Sequence, residues 1–197
     1  MFTVIAVLIS YLLGSVSFSI LIGKWVKGID IRSHGSGNAG ATNTLRVLGK
    51  GPGITVFLLD IAKGVVAVCL GMLIVGDEWT PVLCGLAAIA GHNWPIWFRF
   101  KGGKGIATTV GVMATLALVP CLIAGVIAIA AIVLTRFVSL GSLLFALLTP
   151  VIVLIMGMPM ALFWAAFILC IFAFVRHRSN IVKLLQGNEN KLGAKKG

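Results

Sequence analysis

The sequence predicts an all-α, polytopic membrane protein, a bundle of about seven transmembrane helices. Three observations predict it. Of 197 residues, 59% are hydrophobic and 11% charged, with a mean hydropathy of +1.11; a soluble domain of this size needs far more charge to cover its surface. The apolar residues form seven runs, at 2–23, 52–75, 80–98, 105–119, 121–135, 137–156 and 159–175, and about 20 apolar residues cross the hydrocarbon core as a helix. The basic residues sort to one side of those runs.

The runs justify themselves in order. The first has no basic residue ahead of its apolar stretch and no clear small-residue cleavage site, so residues 1–22 read as a retained helix rather than a removable signal. The second carries Asp60 and Lys63, three apart on one helical face and within pairing range. Ionisable groups inside a span are functional candidates by default; a structural ion pair near the rim, or a role supporting a site, is the reading preferred here. The third run ends in Trp94, Trp97 and Phe98, which fit an interfacial aromatic belt. The fourth and fifth are short for full spans, which local bilayer thinning or burial in the bundle accommodates. Turn signals divide the runs at Gly76-Asp77-Glu78, Pro120, Arg136 and Gly157-Met158-Pro159. No stretch leaves room for a soluble domain, so residues 1–197 are expected to form one membrane domain. Cys69, Cys84, Cys121 and Cys170 lie inside apolar runs without ligand spacing, and neither disulfides nor zinc are expected.

Seven alternating spans put the breaks after runs one, three and five on the same face as the C-terminal tail. Those segments carry Lys24, Lys27, Arg32, Arg46 and Lys50, then Arg99, Lys101 and Lys104, then Arg136, then Arg176, Arg178, Lys183, Lys191, Lys195 and Lys196. The opposite face receives Asp77 and Glu78 and no basic residue. Positive loops stay in the cytoplasm, so the N-terminus is expected outside and the C-terminus cytoplasmic. A net charge of +11 would suggest nucleic acid in a soluble protein; here topology and attraction for anionic substrates and membrane lipid account for it.

Three polar stretches can carry chemistry. In Arg32-Ser33-His34-Gly35-Ser36-Gly37-Asn38-Ala39-Gly40-Ala41-Thr42-Asn43-Thr44-Leu45-Arg46, residues 35–40 satisfy G-x-G-x-x-G. A dinucleotide fold is rejected, because no strand precedes it and Asp60 falls inside a span. What remains is a small-residue loop with N–H, hydroxyl and amide donors that can close around phosphate oxygens, with Arg46 adding a bidentate contact. Lys101-Gly102-Gly103-Lys104-Gly105 opens the fourth run. It is not a Walker A, yet glycines at a helix N-terminus leave N–H groups facing an anion, with a lysine alongside; an ordinary basic anchor is the alternative. Arg176-His177-Arg178-Ser179-Asn180 follows the last run. His177 between two arginines is disfavoured as imidazolium, and a neutral histidine beside bound anions can act as general base or hold a substrate hydroxyl. His34 and His92 compete for that role. Ser139 and Ser142 either donate into the same cavity or bond their own helix. No HExxH, carboxylate cluster or His-x₄-Asp pair is present, so metal-dependent and CoA-dependent mechanisms find no support and no cofactor is expected.

These stretches together resemble the bacterial acyl-phosphate-dependent glycerol-3-phosphate acyltransferase family, a membrane-integral enzyme of phospholipid synthesis. The resemblance rests on Gly35-Ser36-Gly37-Asn38-Ala39-Gly40-Ala41-Thr42-Asn43 with Arg46, on Phe100-Lys101-Gly102-Gly103-Lys104-Gly105 with Ala107-Thr108, and on Arg176-His177-Arg178-Ser179-Asn180 with the Gly187-Asn188-Glu189-Asn190-Lys191 tail. Ala39 departs from the residue that relatives often carry there. The resemblance implies acyl transfer from acyl phosphate to the 1-hydroxyl of glycerol 3-phosphate, releasing lysophosphatidic acid and phosphate. It implies an inner-membrane, multi-pass enzyme with its site on the cytoplasmic face, partnered with the enzyme that supplies acyl phosphate. By the same resemblance, Ser36, Gly37, Asn38, Thr42 and Asn43 cradle the acyl-phosphate head and Gly102 and Gly103 bind phosphate. Arg46 and Lys104 neutralise charge, and His177 and Asn180 with Ser142 orient glycerol 3-phosphate. The base is His177 or a phosphate oxygen of the substrate. A phosphate-ester transporter and a lipid-gripping scaffold are the rival classes, disfavoured because no inverted repeat is evident and a scaffold needs no Gly-Ser-Gly-Asn loop.

Overall fold

The computed structural model describes residues 1–75 and 77–193; Gly76 of an expected turn and Lys195 and Lys196 of the basic tail lie outside them. Among the described residues the chain forms ten α-helices and two short 3-10 turns, with no strand. They divide into two compact units, residues 1–116 and 117–197.

In the first unit, α1 (Phe2–Gly14) and α2 (Phe18–Lys27) make one apolar stretch of 26 residues. α2 ends at Gly28, whose φ of 67° is left-handed, with Lys24 and Lys27 complementing the carbonyl end of the helix. The polar break at 24–51 is not all loop. It holds α3 (Ala41–Leu48), and α4 (Lys50–Ile74) begins directly after the hinge at Gly49. A few apolar residues make this possible: Val47, Leu48 and Phe98 pack on a small core of Ile20, Ile31 and Ala39.

α5 (Trp79–Asn93) starts where the Asp77 carboxylate accepts the N–H groups of Trp79 and Thr80 at 2.9 and 2.6 Å. It stops five residues short of the end of its apolar run, because Pro95 disfavours helical backbone at Trp94. α6 (Ile106–Leu116) closes the unit. α4 packs against α1, α3, α5 and α6, and α1 against α5. The α4–α6 crossing is backbone on backbone: a Cβ at Gly64 would lie 2.5 Å from the Thr108 carbonyl, and one at Gly111 would overlap the Ile61 carbonyl. Close approach of small residues is how helices associate where lipid removes the hydrophobic drive between them.

The second unit contains α7 (Leu118–Thr135), α8 (Val138–Ile155), α9 (Met160–Arg176) and α10 (Arg178–Leu185), with α8 packed on both α7 and α9. Pro120 does not divide runs four and five as its type suggested. It occupies the first turn of α7, where its missing N–H costs no intrahelical bond, and the break falls at Ala117. α7 therefore reaches 18 residues, whereas α6 stays short at 11. α10 leaves α9 at a 64° bend. Phe2–Lys27, α4, α7 and α8 are long and apolar enough to cross a membrane, and α9 with α10 makes a fifth if the bent pair is one span. Leu8, Val126, Val133 and Ile155 each expose more than half of their surface, as lipid-facing residues do.

Candidate active site

The first polar stretch is folded by its own side chains. Asn43, buried on α3, donates from Nδ2 to the carbonyls of Ile31 and His34, both at 3.0 Å, and accepts the Ser36 N–H on Oδ1 at 2.8 Å. One amide thereby draws residues 31–36 onto the helix. Gly35 turns in the left-handed region at φ 62°, and a Cβ there would overlap the Asn43 side chain. Ser36 and Gly37 remain exposed on the outside of this loop, Asn38 is half-buried, and Gly40 leads into α3 with no side-chain cap on its first N–H groups. Thr42 and Arg46 follow on one face of α3, four residues apart. Asn43 thus shapes the cradle that its neighbours line.

Arg32 ties that loop to the second stretch. Its guanidinium pairs with Asp30 at 2.7 Å, donates to the carbonyls of Phe98 and Lys101 at 3.0 and 3.3 Å, and lies 6.0 Å from the Phe98 ring centroid. The hydrogen bond from Arg32 holds the Asp30 carboxyl below its ordinary range. Arg99 and Phe100 both take left-handed backbone, at φ 57° and 58°, fixed by the Phe100 N–H on the Pro95 carbonyl at 2.9 Å. The chain then enters Lys101-Gly102-Gly103-Lys104-Gly105, where the Gly103 N–H donates to the His92 carbonyl at 3.1 Å. A Cβ on Gly103 would lie 2.5 Å from the Ala39 carbonyl, so the two glycine loops abut without a side chain between them. Lys104, half-buried, follows immediately and leads into α6.

Beneath the second loop lies a buried ionic group. Lys63 of α4 forms an ion pair with Asp60 Oδ1 at 2.8 Å, donates to the Val16 carbonyl at 2.9 Å and lies 3.0 Å from His92 Nδ1 of α5, which is itself 3.5 Å from Asp60 Oδ1. All three residues are at most 6% exposed.

The second unit carries the third stretch. His177 sits at the bend from α9 to α10, 3% exposed, with Nδ1 2.8 Å from the Ala173 carbonyl. A carbonyl only accepts, so Nδ1 bears the proton and Nε2 is the acceptor nitrogen, as a general base requires. Asn180 donates from Nδ2 to Glu189 Oε1 at 2.8 Å, and Ser139 donates to the same oxygen at 3.1 Å. The Ser142 hydroxyl bonds its own helix, at the Val138 carbonyl, 2.9 Å away. The tail that brings Glu189 here is held by Arg136, which donates to the Leu192 carbonyl while Leu192 N–H returns to the Arg136 carbonyl at 2.7 Å.

The structure therefore joins Ser36 to Asn43, the Ala39 carbonyl to Gly103, and Asn180 to Glu189. Sequence reasoning left out Asp30, Arg32 and Glu189 as site-shaping residues and gave His92 a different role. One signal was available. The chain has only five carboxylates, and one standing in a basic tail invites the question of what it holds.

A family model described as glycerol-3-phosphate acyltransferase matches residues 4–187. This chain belongs to that family. Within it, the glycerol-3-phosphate acyltransferase of Halalkalibacterium halodurans is 58% identical over 193 residues, covering 95% of this chain and 94% of that protein. The one from Shouchella clausii is 57% identical over 195 residues, covering 96% and 95%. The fold is also similar to a crystal structure of PlsY (YgiH), an integral membrane glycerol 3-phosphate acyltransferase, in its glycerol 3-phosphate form. The TM-score is 0.92 at 37% identity, over 97% of this chain and 96% of that one. The lysophosphatidic acid form of the same protein matches with a TM-score of 0.90 at 36% identity, over 97% and 95%. Membership and fold together make this chain an integral membrane acyltransferase.

Proposed function

We propose that this acyltransferase moves a fatty acyl group from acyl phosphate to the 1-hydroxyl of glycerol 3-phosphate. The products are lysophosphatidic acid and inorganic phosphate, in the first acylation step of bacterial phospholipid synthesis. The relatives are named for glycerol 3-phosphate, and solved forms carry that substrate's name and lysophosphatidic acid. Acyl phosphate as donor rests on chemistry. It is itself an activated acyl compound, and a site lined by N–H groups, amides and cations suits a phosphate leaving group better than a thioester carrier.

The observation that supports this reading most is the abutment of the two glycine loops, with Gly103 against the Ala39 carbonyl and Lys104 next in the chain. Ser36, Gly37, Asn38 and Thr42, in the cradle that Asn43 shapes, take the acyl-phosphate head. Gly102 and Gly103 leave the loop without side chains where a phosphate approaches it, while Arg46 and Lys104 neutralise the charge that builds on the acyl oxygen and the departing phosphate. His177 and Asn180, with Ser142, bind and orient glycerol 3-phosphate. The hydroxyl oxygen attacks the acyl carbon, the bond from that carbon to the phosphate oxygen breaks, and the hydroxyl proton goes to His177 Nε2 or to a phosphate oxygen.

The basic loops support a cytoplasmic site in the bacterial inner membrane, with seven spans, an external N-terminus and a cytoplasmic C-terminus. One membrane domain spans 1–197, and the enzyme that makes acyl phosphate is the natural partner. Purified protein in detergent, given both substrates, is expected to release inorganic phosphate only when both are present. Lys104→Ala is expected to lower that rate by about 10²–10³. Phosphate release from well-folded protein that ignores glycerol 3-phosphate, or that Lys104→Ala leaves intact, would sink the assignment.

A further inference from the structure

The Asp60–Lys63–His92 group has no part in the chemistry above, yet it lies directly behind the loop that carries Lys104. An ammonium has three protons and no acceptor site. Lys63 forms an ion pair with Asp60 at 2.8 Å and has two hydrogen-bond partners, the Val16 carbonyl and His92 Nδ1, at 2.9 and 3.0 Å. The hydrogen bonding therefore assigns the imidazole proton of His92 to Nε2. That nitrogen is the one turned to the loop, since a Cβ on Gly103 would overlap it, and one on Gly102 would overlap the His92 carbonyl. The same carbonyl accepts the Gly103 N–H at 3.1 Å. His92 thus meets the Gly102-Gly103 pair with its backbone and its ring at once.

We propose that the buried Asp60–Lys63–His92 group positions the Lys101–Gly105 loop. Lys63 fixes the imidazole so that its Nε2–Cε1 edge, with the His92 carbonyl, forms the floor against which Gly103 and Gly102 are laid, and this sets how tightly the loop grips phosphate. Asp60 and Lys63 act through His92, and His92 acts through the loop. None of the three touches the reacting atoms in this scheme. Burial favours such a device: an ion pair that water cannot reach holds its partners in one geometry, and removing one partner strands the other. The inference rests on the reading of Lys101–Gly105 as a phosphate site.

Two isosteric replacements test it in full-length protein purified in detergent, with inorganic phosphate as inhibitor and glycerol 3-phosphate as varied substrate. Gln at position 92 can supply an N–H where Nε2 stands, whereas Asn can supply only the acceptor that Lys63 uses. His92→Asn is expected to raise the phosphate inhibition constant and a substrate KM about tenfold while kcat stays within about threefold, and His92→Gln is expected to recover most of that loss. Asp60→Asn with Lys63→Met, which removes the pair without stranding a charge, is expected to shift the same constants in the same direction. The idea is overturned if His92→Asn lowers only the melting temperature, or if it lowers kcat about 10²-fold at unchanged KM, the mark of a catalytic base. Lys104→Ala run alongside separates the two failures. No change in phosphate inhibition there removes the phosphate reading itself, and this inference with it. A change there with none in the position 92 variants removes only the positioning role.

Discussion

Two buried histidines, one in each unit, carry their ring proton on opposite nitrogens. His92 accepts from Lys63 at Nδ1, which puts its proton on Nε2; His177 donates from Nδ1 to the Ala173 carbonyl, which leaves Nε2 to accept. The residue type is the same and the neighbour decides the chemistry. A lysine makes a histidine a donor at its far end, and a backbone carbonyl makes it a base there. The contrast extends to the surroundings. In the first unit backbone meets backbone, Gly103 on Ala39 between the two glycine loops and Gly64 on Thr108 between α4 and α6. In the second, side chains meet side chains, as Asn180 and Ser139 do on Glu189.

The largest effect that would break or sharpen this contrast belongs to His177. If its Nε2 takes the proton, His177→Ala is expected to cost about 10²–10⁴ in kcat, the usual worth of a positioned base. A loss of only about tenfold in turnover would move the proton to a substrate phosphate and leave His177 an orienting role. Next comes the packing of the glycine loops. Gly103→Ala forces a methyl group into the Ala39 carbonyl and the His92 ring, and a fall of about 10–10² in kcat/KM is expected. Gly125→Ala, in α7 with open space around its Cα, is expected to leave kcat/KM within about twofold, since a helical glycine replaced by alanine into space removes nothing. Equal losses in the two variants would mean that the loops owe nothing special to their close approach.

The smallest effect concerns pH. Asp30 is held below its ordinary pKa of 3.8, first by the Arg32 hydrogen bond. A carboxylate lowered in the native state contributes stability that is complete above the ordinary value and fades as pH falls through the native one. The Asp30 side chain is 34% exposed, and solvent screening of its pair with Arg32 keeps the contribution small. Melting temperatures of wild type and Asp30→Asn are therefore expected to differ more at pH 7 than at pH 3. A gap that stays constant across that range would show that the Asp30 charge does not matter.

Much of this was legible in the sequence for identifiable reasons. Hydrophobic runs announce helices because the bilayer admits few other structures; every run overlaps a helix, and four helices, or five with the bent pair, are long and apolar enough to cross a membrane among the described residues. The boundaries were less legible. Pro120 reads as a break by type, but a proline in a first turn breaks nothing, and Pro95 shortens α5 through the residue before it. Ser36, Asn43 and Gly103 could be named from their motifs and the family those motifs resemble. That Asn43 spends its whole amide on Ile31, His34 and Ser36 could not, because such contacts depend on how residues 31–36 fold back. His92 was legible as a histidine and illegible as a donor, since Lys63 stands 29 positions away.

The seam between α1 and α5 has a consequence in time. Gly14 has no room for a Cβ against the backbone of Ala88, which stands 74 positions later in the chain. At about 5–20 residues per second, the chain supplies that neighbour about 4–15 s after α1 itself. For those seconds the bare strip of the first helix lies against something other than its final partner. The order in which this protein is made and the order in which its helices meet are therefore different orders.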